Sequence, residues 1–218
     1  MVRVLKALLL LAPLGALGWL LLASSWLDVE RVEVRGVERL SEAQVLRAVD
    51  VRPGTPLARV DTSDVERAVG RLAPVADVEV QRSWPGTLRV TVTERVAVAG
   101  VLTRTSATLV DAAGVPFATE RRLPEGVVRI EVPQVQRPDD TLRAVLQVHR
   151  ALPEELSRRV FLVRAEDPAN VVLLLRSGLQ VVWGAPGDDA TKAAAALALG
   201  DLPGTVIDVS APGVVVRR

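Results

Sequence analysis

The chain has 218 residues, 49% of them hydrophobic and 24% charged, a composition that fits folded domains and is too apolar for a disordered polymer. Its formal net charge of +1 leaves no basic footprint for nucleic acid, and the absence of cysteine excludes disulfides, thiolate metal sites and a cysteine nucleophile. With an apolar N-terminal segment set aside, about 190 residues remain, enough for one large core or two small ones, and two are expected.

The first element is Ala7 to Leu27, ALLLLAPLGALGWLLLASSWL, uncharged from end to end. At about 1.5 Å per residue a helix of this length crosses a hydrocarbon core of roughly 30 Å. Pro13, Gly15 and Gly18 are tolerated in lipid, and Trp19 and Trp26 suit the interfaces. Arg3, Lys6 and the amino terminus make one flank positive, so residues 1–6 are expected to stay in the cytoplasm and everything from Asp28 onward to lie outside the cytoplasmic membrane. The alternative is a cleaved signal peptide, because Ala23, Ser24 and Ser25 resemble a processing site. An apolar run longer than the usual signal core favours retention as an anchor.

From Asp28 to Arg95 the pattern is strand, helix, helix, strand, strand. Val32 and Val34 alternate with Arg31, Glu33 and Arg35, and Gly36 ends that strand. Ser41 followed by Gln44 is a capping box, which predicts a helix to about Val49 with Val45, Leu46 and Val49 inward. After the turn at Pro53, Gly54 and Pro56, Asp61 or Thr62 caps a second helix whose Val65, Val69 and Leu72 share a face, and Pro74 stops it. Ala76, Val78 and Val80 then alternate with Asp77, Glu79 and Gln81, and Leu88, Val90 and Val92 with Arg89, Thr91 and Thr93, which predicts a hairpin with one wet face. In its loop, Pro85 and Gly86 fit the two central positions of a type II turn.

Beyond Val96 short strands recur: Val96 to Val101, Thr108 to Val110, Val115 to Ala118 and Val127 to Glu131, with a tight turn at Ala113-Gly114. A helix is predicted from Asp139 to Leu152, its stripe formed by Leu142, Val145, Leu146, His149 and Leu152. Strands follow at Phe161 to Arg164, Val171 to Arg176 and Leu179 to Trp183. Asp188 or Asp189 opens an alanine-rich helix closed by Gly200, and Thr205 to Val209 and Gly213 to Val216 finish the chain as β-branched strands.

No assembled chemistry is visible. His149, the only histidine, lies on an apolar helical stripe and reads as structural. Asp139-Asp140 and Asp188-Asp189 stand where helices start and read as caps, and Asp111 precedes a turn. Neither a phosphate-binding loop nor a zinc-protease motif nor a nucleophile elbow occurs. Trp84 is either an exposed recognition anchor or a lid over the domain edge. Glu94 and Arg95 read first as an ion pair or a junction contact and second as a recognition pair. The run Gly213-Val214-Val215-Val216 is an uncharged strand whose edge, if unpaired, needs a cover, and a partner's strand can supply it.

Taken in order, RSWPGTLRVTVTERVAVA (Arg82 to Ala99), LVDAAGVPF (Leu109 to Phe117), LRSGLQVVWG (Leu175 to Gly184) and VIDVS (Val206 to Ser210), behind one apolar span, resemble the bacterial cell-division family FtsQ/DivIB. The resemblance implies an α+β chain: residues 1–6 as cytoplasmic tail, 7–27 as transmembrane helix, 28–95 as a POTRA domain (β-α-α-β-β) and 96–218 as a strand-rich β domain with two helices. It further implies a non-enzymatic scaffold without cofactors. Such a scaffold sits at the division septum, binds the small bitopic proteins FtsB and FtsL, and couples them to the septal peptidoglycan synthase. The family's strand-addition site carries onto Thr205, Val206, Ile207, Asp208 and Val209 and onto Gly213, Val214, Val215 and Val216, while the POTRA module, with Trp84, Glu94 and Arg95 as candidates, is implicated in recruitment. The rival readings are a carboxylate-based cell-wall hydrolase, secreted or anchored, and a POTRA-containing export or assembly factor. The latter would need a membrane barrel that the remaining chain is too short to form.

Overall fold

The computed structural model describes residues 27–103, 105–134, 138–200, 205–211 and 214–217, the last four as backbone alone. The chain divides into two compact units after Arg95. Apart from Leu27, the expected span at residues 7–27 lies outside the described residues, among which no helix is long and apolar enough to cross a membrane.

The first unit runs β1 (Arg31–Arg35), α1 (Glu42–Val49), a 3-10 turn (Leu57–Arg59), α2 (Thr62–Val69), β2 (Val75–Ser83) and β3 (Thr87–Glu94). Helix α1 starts at a complete capping box, in which Gln44 N donates to Ser41 Oγ and Ser41 N donates to Gln44 Oε1 at 2.8 Å. In α2 the Asp61 carboxylate accepts from Ser63 N and Asp64 N, and the helix ends at Val69 with Gly70 as its C-cap, one turn before Pro74. The sheet has the order β1-β3-β2, with β1 parallel and β2 antiparallel to β3. Leu88, Val90 and Val92 of the central strand share one core with Val45, Val49, Val65 and Val69 of the helices.

Three sequence expectations are corrected here. Leu46 is 37% exposed, because α1 turns only Val45 and Val49 fully inward. Ala76 is exposed and Val75 is buried, because Val75 pairs with Glu94 while Asp77 pairs with Thr93, which leaves Ala76 as the extra residue of a bulge. The bulge shifts the alternation by one, so the strand's first apolar contact comes a residue earlier. The hairpin tip is not a type II turn: the Trp84–Pro85 peptide is cis and Gly86 does not adopt positive φ. Glycine is required there for space, since a Cβ would lie 2.9 Å from both the Asp28 carbonyl oxygen and Glu30 Cγ.

The second unit contains β4 (Ala99–Leu102), β5 (Ala107–Val110), β6 (Pro116–Glu120), β7 (Val128–Glu131), α3 (Asp140–Ala151), α4 (Glu154–Arg159), β8 (Val160–Ala165), β9 (Val171–Leu175), β10 (Gln180–Gly184), α5 (Asp189–Leu199), β11 (Val206–Ala211) and β12 (Val214–Arg217). Among the described residues three helices, not two, accompany the strands: α4 follows Pro153 directly, where proline begins a helix as readily as it ends one. All nine strands form one sheet in the order β12-β11-β10-β9-β8-β7-β4-β5-β6, with parallel joints at β4/β7, β7/β8 and β10/β11. Helices α3 and α5 touch each other, α3 covers β8 and β9, and α5 covers β11, so Leu142, Val145 and Leu146 share one core with Leu173, Val181 and Ile207. At the tight turn, Gly114 has φ 81° and the Asp111 carboxylate accepts from Ala113 N and Val115 N, both at 2.9 Å.

Candidate functional site

The chain's last two described strands form one end of the large sheet. Strand β11 lies between β10 and β12, in parallel register with β10 (Gln180 opposite Val206, Val181 opposite Ile207, Val182 opposite Asp208). Against β12 it runs antiparallel, with Ile207 opposite Arg217, Asp208 opposite Val216, and Ala211 opposite Val214 after an irregularity. Ile207 and Val209 point into the core, at 1% and 2% exposure. The Thr205 carbonyl accepts from Gln180 N at 2.9 Å, which extends the β10/β11 pairing by one residue. Thr205 to Val209 therefore belong to an interior strand, whereas β12 has β11 on one side and no further described strand on the other. Gly213 lies outside the described residues.

The loop before α5 supports this end of the sheet. Gly184, Gly187 and Asp188 all have positive φ, at 73°, 124° and 50°. A Cβ on Gly184 would sit 2.7 Å from Ser210 Cβ, so the loop presses against the end of β11. Asp188 occupies the N-cap position without a side-chain cap bond, which corrects the capping expectation for this residue. Asp189 is engaged elsewhere: its Oδ1 accepts from the indole Nε1 of fully buried Trp183 at 2.8 Å and from Gly187 N at 3.3 Å. Buried Lys192 donates from Nζ to the Ala185 carbonyl at 2.7 Å and closes the loop from the helix side. Sequence reasoning missed both roles, although a buried indole N–H always demands an acceptor.

The candidates in the first unit are separated by the length of β3. Trp84 precedes it and Glu94 ends it, about 25 Å apart at strand rise. The Glu94 carboxylate accepts from three consecutive amides of the β1–α1 loop: Glu38 N at 3.0 Å, Arg39 N at 2.9 Å and Leu40 N at 2.9 Å. Desolvation pushes its pKa up, but the Leu40, Arg39 and Glu38 amides together outweigh it and hold the carboxyl below the usual glutamate range. Glu94 is thus a staple within this unit, and Arg95 continues the strand end by donating its backbone N–H to the Pro74 carbonyl at 2.8 Å. Trp84 is 52% exposed, which removes the lid alternative.

One groove in the second unit, about 640 Å³, was not visible in the sequence; its lining includes His149, Arg129 and Phe161. The Arg129 guanidinium lies over the Phe161 ring, 4.6 Å from its centroid. His149 is half-buried with its Nδ1 enclosed and without a partner, and desolvation lowers its pKa. Among the described residues no group of three or more histidine and acidic side chains converges to hold a metal.

Comparison with known proteins now bears on this architecture. The family model described as "POTRA domain, FtsQ-type" matches residues 27–95, and that described as "Cell division protein FtsQ/DivIB, C-terminal" matches residues 101–208. A cell division protein FtsQ from Streptomyces bingchenggensis is 39% identical over 189 residues, covering 83% of this chain and 71% of the relative. The chain belongs to the FtsQ/DivIB family of cell-division proteins. The FtsQ of Mycobacterium tuberculosis is 36% identical over 215 residues, 97% of this chain and 68% of its own length. That of Mycolicibacterium smegmatis is 36% identical over 197 residues, and the match spans 59% of its length. The first unit is thus an FtsQ-type POTRA domain and the second a strand-rich FtsQ/DivIB domain, which establishes the α+β reading.

Proposed function

We propose that this chain is a non-enzymatic scaffold of the division septum, anchored by residues 7–27 in the cytoplasmic membrane with its N-terminus inside and its two domains outside. It binds FtsB and FtsL and couples them to the septal peptidoglycan synthase. The observation that carries the reading is the position of β12 at the end of the described sheet, in a chain of this family. An edge strand has one row of main-chain N–H and C=O groups turned away from its neighbour, and a partner's extended segment can take them up. FtsB adds along Val214 to Val216, with Thr205 to Val209 holding β12 from behind. The irregularity between Asp208 and Ala211 locally relaxes the β11/β12 pairing beside that site.

The test is capture of FtsB by the full chain, together with localisation of a fluorescent fusion in dividing cells. Septal fluorescence and capture that is lost with a proline in β12 are expected. Fluorescence spread evenly around the envelope would refute the septal role, and undiminished capture by every β12 proline variant would refute strand addition.

A further inference from the structure

The hairpin tip at Trp84–Gly86 stands where the chain enters the POTRA unit. Glu30 N donates to the Gly86 carbonyl at 2.8 Å and Arg31 N to the same oxygen at 3.3 Å. Backbone contact there is so close that Gly86 has no room for a side chain. On the other flank Val29 N donates to the Thr55 carbonyl at 2.8 Å, Gly54 N donates to the Val29 carbonyl at 3.0 Å, and Asp28 bridges to Pro56. Asp28–Glu30 is therefore clamped between the turn at 53–56 and the hairpin tip, and both loops lie at the end of the unit next to Leu27.

This end carries an unusual surface. Trp84 is 52% exposed, and Pro85 beside it is exposed as well. Arg52, Arg59 and Arg82 are exposed around it, and none is in an ion pair among the described residues. Arg82 is fixed beside the 3-10 turn by donation from Nη2 to the Val60 carbonyl at 2.8 Å. The carboxylates at this end are Asp28, half-buried, and Glu30, Asp50 and Asp61, all exposed, of which Asp61 is engaged by the Ser63 and Asp64 amides.

We propose that this end of the POTRA unit docks on an anionic phospholipid surface, with Trp84 at headgroup level and Arg52, Arg59 and Arg82 facing lipid phosphates. The inference rests on reading Ala7–Leu27 as a membrane span. Leu27 then leaves the bilayer one residue before Asp28, and with about 3.8 Å between successive Cα atoms the hairpin tip, bonded to residue 30, stays within roughly 10–15 Å of the interface. An indole is the side chain suited to that depth, apolar in its ring and polar at its N–H. Arginines are attracted to anionic headgroups in the outward-facing leaflet once they come within a Debye length, about 8 Å in physiological salt. A protein partner can also take an exposed tryptophan, but a tether this short keeps lipid at a high effective concentration at all times.

The experiment uses the full chain carrying Trp19→Leu and Trp26→Leu, reconstituted into vesicles of phosphatidylethanolamine and phosphatidylglycerol, with or without lipids brominated at the glycerol end of the acyl chains. Fully buried Trp183 supplies a constant background. Brominated lipid is expected to quench a component of the emission that is missing when Trp84→Ser is added, and Arg52→Glu with Arg59→Glu is expected to reduce that quenching. Unquenched Trp84 in a chain that resists alkaline extraction overturns the docking, leaves the span standing and points to a protein partner. Release of the chain by alkaline extraction overturns the span and the docking with it. Quenching unchanged by the two arginine reversals overturns the electrostatic half of the proposal.

Discussion

Replacing Glu94 tests how the POTRA unit is held together. Its carboxylate accepts from three successive amides, those of Glu38, Arg39 and Leu40. A hydrogen bond to a charged group contributes about 1.5–3 kcal/mol, but the Glu38 and Arg39 amides are exposed and water replaces their acceptor in Glu94→Ala. Only the partly buried Leu40 amide then bears the full loss, so the expected cost is about 2 kcal/mol, or roughly 8–15 °C in the melting of a unit this small. Glu94→Gln keeps a neutral acceptor and is expected to lose about half as much. The assay is hydrogen exchange of the full chain in detergent, read on the segment around residues 37–46, with β9 and β10 of the other unit as internal reference. The acid limb carries a second signature. The folded pKa of Glu94 lies below its ordinary 4.5, so its contribution is complete above that value and is lost as pH falls through the lower folded pKa. That limb is absent from Glu94→Gln. Unchanged exchange in Glu94→Ala, or an acid limb that survives in Glu94→Gln, would refute the staple.

Single prolines at Val214, Val215 and Val216 are expected to divide into two classes in an FtsB capture assay, since successive amides of a strand point to opposite sides: one class abolishes capture with the sheet intact, and the other unseats β12 from β11. Gly86→Ala puts a Cβ 2.9 Å from the Asp28 carbonyl oxygen and is expected to cost about 1–3 kcal/mol, measured by thermal melting, with exchange in the second unit unchanged. For His149 the sign runs the other way from a salt-bridged histidine. Burial lowers its pKa, so it adds nothing above the ordinary 6.5, and below that the unfolded chain takes up the proton first and the second unit loses stability. His149→Leu is expected to flatten denaturant midpoints between pH 7 and pH 5, and a slope equal to that of the native chain would count against the burial argument.

The parts of the fold legible in the sequence are those decided within a few residues. Ser41 with Gln44, Asp61 and Asp139 cap their helices because the donors they satisfy are their own next neighbours. Leu88, Val90 and Val92 alternate inward because the period of a strand is local. Failures came where a distant partner decides. The bulge at Ala76 exists only in register with Thr93 and Glu94, and Asp189 leaves the capping role because Trp183, buried on another element, needs an acceptor. Glu94 read as an ion pair or junction contact because the loop amides it collects are more than fifty positions upstream. The sequence offered Gly213 to Val216 as a sheet edge only if unpaired, and which strands stand between β12 and the far edge follows from three parallel joints that no single segment announces.

Many of the acidic residues hold loops and helix starts in place. Asp61, Asp139 and Asp111 accept from backbone amides, and Glu94 and Asp189 from a loop and an indole. Asp167 accepts from the Asn170 side chain and the Ala169 amide, which hold its pKa below the usual aspartate range. Glu94 and Asp167, held below the ordinary carboxylate range by their donors, are poor proton shuttles, because general acid–base work needs a pKa near the working pH. The same bonds make loops rigid, and rigid loops set the edges of both sheets without an ordering cost when a partner arrives. On the proposed reading, recognition rests on what these bonds leave outward: the main chain of β12 in one unit and the Trp84 end of the hairpin in the other. If that division holds, Val215→Pro or its neighbours and Trp84→Ser will fail in different assays. The β12 variants will lose FtsB with lipid quenching intact, and Trp84→Ser will lose the quenching with FtsB capture intact.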